Sequence, residues 1–188
     1  MLNLPVVTAH RPRRTAPRKL AGAASAVALL VLTMSAAGPA PRAAADDKLP
    51  IGGGAGIVID GDTFCTLTTI GTDKTGALVG LTSAHCGGPG AQVASEDAQD
   101  RGVIGTMVAG NDNLDYAVIR FDPAKVTPVA NWEGFLIDGI GPDPVLGQVA
   151  CKLGRTTGYS CGVTWGPGQD PGTIVNQVCG QPGDSGAP

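Results

Sequence analysis

Short apolar runs separated by turn residues make up most of the chain after residue 50. These runs are interrupted at short intervals by Gly, Asp, Asn and Pro, and no stretch has a convincing amphipathic helical period. Many short strands with Gly- and Pro-rich turns are typical of an all-β sandwich or barrel. We predict strands over residues 55–59, 63–70, 77–83, 102–109, 115–121, 145–151, 159–165 and 173–178, and helix only as a turn near residues 84–87.

The predicted strands fall into an earlier and a later group. Residues 122–144 lie between the groups and hold four prolines, which makes this stretch the best candidate for a connector. We therefore predict two β lobes, over residues 46–125 and 126–188, with a crevice between them. Functional sites tend to lie in such crevices.

The N-terminal segment has a different composition. Residues 1–19 carry five basic residues and no acid, residues 20–36 are almost wholly apolar or small, and residues 43–45 are alanines. This order predicts a secretory signal peptide over residues 1–45, cleaved near Ala45, and hence a secreted, extracellular protein. A transmembrane anchor is the alternative, but the apolar run is shorter than the ~20 strongly apolar residues that a span needs.

Cleavage would leave seven basic and sixteen acidic residues, a net charge of −9. So acidic a surface argues against nucleic acid or an anionic membrane as a partner. All five cysteines lie in the exported part, where disulfides are expected, and their odd number implies either an intermolecular disulfide or a missing partner. Their spacing does not match a zinc site, and no metal or cofactor is implied.

Ser185 lies in the sequence Gly183-Asp184-Ser185-Gly186. A nucleophilic serine needs an exposed tight turn, and glycine on either side allows backbone angles that other residues resist. The N–H groups of Gly183 and Ser185 could then converge on one point and stabilise a developing oxyanion. An ordinary surface turn is the alternative, since Gly, Asp and Ser are common in turns.

A serine hydroxyl is a weak nucleophile unless a base takes its proton. His85 is the only histidine after residue 45, so it is the candidate base, and a lone structural histidine is the alternative. The imidazole in turn needs an orienting acid. Asp115 stands directly before the apolar run 116–121 and is the best candidate. Asp112 is the fallback, although an acid in its turn more simply bonds its own backbone.

Three separated motifs in this order, LTSAHC (81–86), DYAVIR (115–120) and GDSGAP (183–188), resemble the trypsin-like serine proteases. The segment CKLGRTTGYSCG (151–162) resembles their bacterial streptogrisin and α-lytic branch, in which a short loop rich in Gly and Thr is closed by a disulfide. The resemblance covers about residues 51–188. It implies a catalytic triad of His85, Asp115 and Ser185, the roles already argued from local chemistry.

The resemblance implies a fold of two antiparallel β-barrels, the first carrying His85 and Asp115 and the second carrying Ser185. It implies two disulfides, one joining Cys65 to Cys86 and the other joining Cys151 to Cys161. Cys179 matches a cysteine whose usual partner follows the serine, so we expect it to be unpaired. We also expect the second barrel to be incomplete, because the family has further strands after the serine and the sequence stops at Pro188.

The resemblance also indicates how the serine loop is held. In the streptogrisin-like branch a basic side chain pairs with the acid before the serine, which implies an ion pair between Lys152 and Asp184. The base of the primary specificity pocket should lie near Gln177. Because that residue is neutral, a preference for Arg or Lys before the cleaved bond is not expected.

These observations predict a secreted, monomeric serine endopeptidase that cleaves protein or peptide substrates through an acyl-enzyme. A catalytically incompetent, truncated homologue with a binding or structural role is the alternative. An esterase would use the same acyl chemistry, but the lipase pattern G-x-S-x-G is not matched around Ser185.

Overall fold

The computed structural model describes residues 47–188, so the predicted signal peptide lies outside the described residues. Over residues 47–188 the chain forms fourteen β-strands and two short 3-10 helices. Strands β1 to β14 are, in chain order, Leu49–Ile51, Gly56–Ile59, Thr63–Thr66, Thr69–Thr72, Leu78–Thr82, Gln92–Ser95, Val103–Asn111, Tyr116–Phe121, Val126–Pro128, Asn131–Trp132, Phe135–Leu136, Val149–Gly154, Gly158–Pro167 and Ile174–Asn176, and the 3-10 helices are Ala84–Cys86 and Gln99–Arg101. The all-β prediction is confirmed. Within this range no helix is long and apolar enough to cross a membrane.

Seven antiparallel strands form the main sheet, in the order β3-β2-β6-β7-β8-β5-β4. Its strands alternate as expected for a sheet with one face on a core: in β8, Ala117, Ile119 and Phe121 are buried and the residues between them are more exposed. Two irregularities in register, after Val93 and after Met107, increase the local bend of the sheet. The largest fully buried apolar side chains are those of Ile51, Ile57, Ile59, Leu67, Val93, Ile104, Met107, Ile119 and Val126.

Residues 122–144, predicted to be a connector, contain three of the short strands. Strand β9 runs parallel to β1, with Leu49 opposite Val126, and Val126 packs in the core of the main sheet. Strands β10 and β11 form a small hairpin. Pro128 ends β9 opposite Ile51, and because β1 and β9 form a two-stranded sheet, the missing N–H of the proline is tolerated there. The boundary between two lobes at residue 125 stays a prediction.

A second antiparallel sheet, in the order β12-β13-β14, follows. Strands β12 and β13 form a hairpin whose turn is residues 155–157. Among the described residues after 128, Leu153 is the one buried hydrophobic side chain, while Val149, Trp165 and Val175 are about half exposed or more. The apolar core of the described part therefore lies under the main sheet.

Two predicted strands differ by more than two residues from the observed ones, and one strand of the main sheet was not predicted. The strand predicted over residues 63–70 is two strands, because the buried Leu67 bonds to Ala55 of one neighbour and Thr68 bonds to Leu81 of another. The strand predicted over residues 145–151 starts only at Val149, after a turn. Strand β6 was missed because its sequence, QVAS, lacks a run of apolar or β-branched residues.

Candidate active site

Two neighbouring strands of the main sheet bring His85 and Asp115 to the same edge. Strands β5 and β8 are paired antiparallel with Thr82 opposite Ala117, so the residues just after Thr82 and just before Ala117 leave the sheet together. His85 lies in the 3-10 helix that follows β5, and Asp115 lies in the turn that precedes β8. The pairing of these two strands therefore determines the distance between the imidazole and the carboxylate of two residues that lie 30 apart in the sequence.

Asp115 contacts His85 through both its ring and its backbone. Asp115 Oδ1 and Oδ2 lie 2.9 Å and 2.8 Å from His85 Nδ1, and the His85 backbone N–H donates to Asp115 Oδ1 at 3.0 Å. Partial burial acts to raise the pKa of Asp115, but the hydrogen bonds from His85 outweigh it, so the pKa of this carboxyl lies below its ordinary value. The carboxylate is thus ionised at neutral pH and accepts from Nδ1–H.

The other ring nitrogen of His85 faces Ser185. His85 Nε2 lies 2.8 Å from Ser185 Oγ, a distance at which the imidazole can take the hydroxyl proton. The His85 side chain is 58% exposed and that of Asp115 is 47% exposed, and Ser185 is partly exposed, so solvent reaches all three residues. A continuous line of hydrogen-bonding contacts runs from Asp115 through His85 to Ser185. Within residues 47–188 Asp112 makes no hydrogen bond or ion pair, so the fallback acid is not brought to His85.

The loop carrying Ser185 is fixed to the main sheet by two threonines. The Thr66 N–H donates to the Ser185 carbonyl at 2.8 Å, and the Thr66 hydroxyl donates to the Gly183 carbonyl at 2.9 Å. The Thr68 hydroxyl donates to the Gly186 carbonyl at 2.6 Å. Neither threonine was singled out from the sequence, because both lie in an ordinary-looking strand motif more than 100 residues before the loop.

Asp184 precedes Ser185 in this loop, and its side chain is buried and surrounded by hydrogen-bond donors. The Lys152 ammonium lies 3.0 Å from its Oδ2 and also donates to the Thr157 hydroxyl at 2.7 Å. The Thr157 hydroxyl donates to Oδ2 at 2.8 Å, and the Gln181 N–H donates to the same oxygen at 2.9 Å. The N–H groups of Thr156 and Thr157 donate to Oδ1.

Desolvation acts to raise the pKa of Asp184, but the donors around it, led by the Thr157 hydroxyl and the Gln181 N–H, hold the pKa far below its ordinary value. Asp184 is therefore a buried carboxylate that stays charged. The family resemblance predicted Lys152 as its partner, but it did not predict the two threonines, although both lie in the segment 151–162 that carries the resemblance.

The N–H groups of Gly183 and Ser185 are not used by other groups of residues 47–188, whereas the neighbouring N–H groups of Asp184 and Ala187 donate to carbonyls of the same loop. Gly183 has φ of +97° and Gly186 has φ of +85°, values that glycine adopts without strain. Two unused N–H groups beside a serine hydroxyl suit an oxyanion.

Disulfides join Cys65 to Cys86 and Cys151 to Cys161, and Cys179 is free and exposed. The first disulfide links β3 to the 3-10 helix that carries His85, and both of its cysteines are buried. The second links the directly paired residues of β12 and β13. Gln177, expected near the base of a specificity pocket, is exposed after β14, and its N–H donates to the Val163 carbonyl.

The chain is similar to two Streptomyces proteins. It is 31% identical to serine protease 2 of Streptomyces fradiae, with 72% of this chain and 85% of that protein covered. It is 30% identical to streptogrisin-C of Streptomyces griseus over 83% of this chain, and it spans about a third (35%) of that longer relative. The crystal structure of Nocardiopsis protease matches with a TM-score of 0.58 at 25% identity, covering 73% of this chain and 76% of that one. No protein-family model matches the chain.

Proposed function

Because the chain belongs to the trypsin-like serine proteases, in the branch that contains streptogrisin, we propose that it is a secreted endopeptidase that uses Ser185, His85 and Asp115 as its catalytic triad. The observation that carries this proposal is the unbroken line of contacts from Asp115 through His85 Nδ1 and Nε2 to Ser185 Oγ. Membership of the family alone would not identify these three residues.

In the first half of the reaction Ser185 Oγ attacks the carbonyl carbon of the substrate while its proton moves to His85 Nε2. Asp115 accepts from Nδ1–H, which fixes the neutral tautomer before attack and stabilises the imidazolium after it. The carbonyl oxygen becomes an oxyanion, and the unused N–H groups of Gly183 and Ser185 donate to it. His85 then returns the proton to the leaving nitrogen, the C–N bond breaks, and an acyl-enzyme remains.

In the second half a water molecule repeats the same proton transfers. His85 Nε2 takes a proton from the water as its oxygen attacks the acyl carbon, and Ser185 Oγ leaves with that proton. The carboxylic acid product departs, and the serine is regenerated. No other reactant is consumed.

The ion pair between Lys152 and Asp184 acts by holding the loop in which the oxyanion donors lie. Its carboxylate accepts from the turn at 155–157 and from the loop itself, so it joins the two segments. The pair therefore has a structural part in the reaction. We propose protein or peptide substrates and, because Gln177 is neutral, an uncharged side chain before the cleaved bond.

The two disulfides support an extracellular location, since disulfides persist in oxidising compartments. We propose that residues 1–45 direct export and are removed. The acidic balance of the remaining chain, with sixteen acidic and seven basic residues, favours a soluble monomer, and we propose that the protein acts as one.

A fluorophosphonate probe tests the proposed function, because it labels a serine only where a base and an oxyanion site are assembled. We expect one equivalent of label on Ser185 in the full chain, identified by peptide mass, and no label in the variants S185A and H85A. A folded chain that takes up no label would contradict the proposal. A non-catalytic binding role on the same fold would then be the better account.

A further inference from the structure

The peptide unit that joins Pro182 to Gly183 supplies one of the two proposed oxyanion donors. This unit is trans, so its carbonyl and its N–H point in opposite directions. Whatever holds the Pro182 carbonyl on one side of the loop therefore directs the Gly183 N–H to the other side. The Thr156 hydroxyl does so, since it donates to the Pro182 carbonyl at 2.8 Å.

Arg155 orients this hydroxyl. Its Nη1 donates to Thr156 Oγ1 at 3.1 Å, and a hydroxyl that accepts from a guanidinium has its own single proton left for the Pro182 carbonyl. The same groups cover the back of Gly183: a Cβ built there would lie 2.5 Å from Arg155 Nη1 and 2.5 Å from Thr156 Oγ1. The loop thus rests directly on the Arg155–Thr156 pair.

Arg155 is itself held by the main sheet. Its Nε donates to Glu96 Oε2 at 2.6 Å and its Nη2 bonds to Glu96 Oε1, a two-pronged pairing that only arginine can make. Its guanidinium carbon lies 4.9 Å above the centre of the Phe64 ring. Both charged side chains are about three-quarters buried or more, so the pair is well shielded from solvent.

The Arg155 backbone adds a second connection between the same elements. Its N–H donates to Thr66 Oγ1 at 3.1 Å, and that hydroxyl donates to the Gly183 carbonyl. The side chain of Arg155 therefore acts on the peptide unit before Gly183, and its backbone acts on the unit after it. Both routes end on the main sheet.

We propose that Arg155, clamped by Glu96, is a positioning residue that sets the direction of the Gly183 N–H through Thr156 and the Pro182 carbonyl. The proposal rests on the proposed function in one respect only, namely that this N–H serves a reaction. The effect of the Arg155–Glu96 pair on the conformation of the loop can be tested without measuring catalysis.

The kinetic test measures kcat and KM for a neutral N-acyl amino acid p-nitrophenyl ester in the full chain. Removing an oxyanion donor outright costs about 10²–10³-fold in kcat, so for the misdirected donor of R155M we expect a loss of about tenfold with KM nearly unchanged. T156V should show a similar loss and T156S almost none. The double variant R155M/T156V should be no worse than T156V, because both residues act through one peptide unit.

A lysine variant separates geometry from charge. R155K keeps the positive charge but loses the fork, so we expect it to behave like R155M. Full activity in R155K would mean that the charge near the loop matters and that the clamp does not. The matched control is R120M, which removes an exposed arginine of β8 and should leave both kinetic constants unchanged.

Hydrogen–deuterium exchange provides a readout that does not depend on activity. We expect R155M, but not R120M, to take up deuterium faster than the unaltered chain in peptides covering residues 181–186, by more than any change in peptides covering β7 and β8. Unchanged exchange in that loop would overturn the proposal even if kcat fell. If the unaltered chain reacts with neither ester nor fluorophosphonate, the proposed function is wrong, and the exchange comparison alone decides whether Arg155 positions the loop.

Discussion

Asp115 has a backbone conformation that is uncommon for a residue with a side chain. Its φ is +47°, in the left-handed region, which Asp and Asn tolerate better than most residues. The turn that contains it is tied down by the Asn111 side chain, which accepts from the Leu114 N–H at 2.9 Å. This bond and the contacts to the ring and the backbone N–H of His85 together determine where the Asp115 carboxylate points. Strain of this kind persists only where the surroundings impose it.

We expect D115N to lower kcat by about 10³–10⁴-fold with little change in KM, because an amide cannot hold the imidazole in the required tautomer. The matched control is D112N, in the same turn, which should retain full activity. The measurement is ester hydrolysis by both variants. If D112N were the slower variant, the assignment of the orienting acid would be wrong.

At Lys152 the expected effect is on stability first. In K152M the buried Asp184 carboxylate would lose its cation, and breaking a buried pair typically costs about 3–5 kcal/mol of the free energy of unfolding. The control K74M alters an exposed lysine in the turn before β5 and should change that free energy by less than about 0.5 kcal/mol. Urea denaturation measures both. Equal midpoints for the two variants would show that Asp184 does not need the ammonium.

Asp184 also makes a prediction about acid. The pKa of its carboxyl is lower in the folded chain than its ordinary value near 3.8, so the ionised form stabilises the fold at neutral pH. This contribution is complete above the unfolded pKa and is lost as the pH falls below 4 toward the folded pKa. The thermal midpoint of D184N should therefore fall less between pH 6 and pH 2.5 than that of the unaltered chain. D170N, at an exposed acid, should follow the unaltered chain.

At the level of elements, the sequence was informative where a motif or an apolar run was local. Strands β2, β5, β7 and β8 were each predicted to within two residues, because β-branched and apolar residues mark a buried strand. Strands β1, β6 and β9 to β11 were missed, since their pairing depends on partners far away in the chain. The contacts of the loop that carries Ser185 were missed for the same reason. Thr66 bonds to this loop directly, and Glu96 bonds to Arg155 in the turn between β12 and β13. Both contacts join segments that are far apart in the sequence.

The two disulfides should differ in their importance. Cys65 and Cys86 are buried, lie 21 residues apart and join β3 to the helix that carries His85. Cys151 and Cys161 lie 10 residues apart in a more exposed hairpin that is already paired by its backbone. From loop length alone each bond contributes about 3 kcal/mol, so the difference should come from packing and position.

We therefore expect C65A/C86A to lower the thermal midpoint more than C151A/C161A does, and to reduce kcat as well by loosening His85. The comparison uses thermal unfolding and ester hydrolysis on both double variants. A larger loss of activity in C151A/C161A would mean that the hairpin, rather than the helix of His85, limits the geometry of the site.

At the scale of the whole molecule, segments that are far apart in the sequence come together to form the site. The main sheet supplies His85 and Asp115, and it also supplies Thr66 and Thr68, which hold the loop of Ser185. The hairpin of β12 and β13 supplies most of the donors to Asp184, and the Gln181 N–H of the loop supplies another. The predicted all-β fold and family are confirmed, because motif order and strand pattern are properties of the sequence. The hydrogen bonds that hold the loop of Ser185 could not be predicted from the sequence, because they join segments that meet only in the folded chain.

Export provides the last prediction, and it concerns the chain as a whole. When the full sequence is expressed in a bacterium that secretes proteins, we expect the medium to contain a product whose N-terminal sequence begins near Asp46. This expectation rests on the basic and apolar composition of residues 1–45, which is typical of a cleaved signal peptide. The intact mass of the product should correspond to two disulfides, and under denaturing, non-reducing conditions one thiol, that of Cys179, should react with iodoacetamide. A product that retains residues 1–45 and sediments with the membrane would contradict this prediction, because the same apolar run would then be acting as an anchor. Cleaved protein in which all five cysteines react with iodoacetamide would mean that neither disulfide forms, so that no covalent bond would link β3 to the helix of His85.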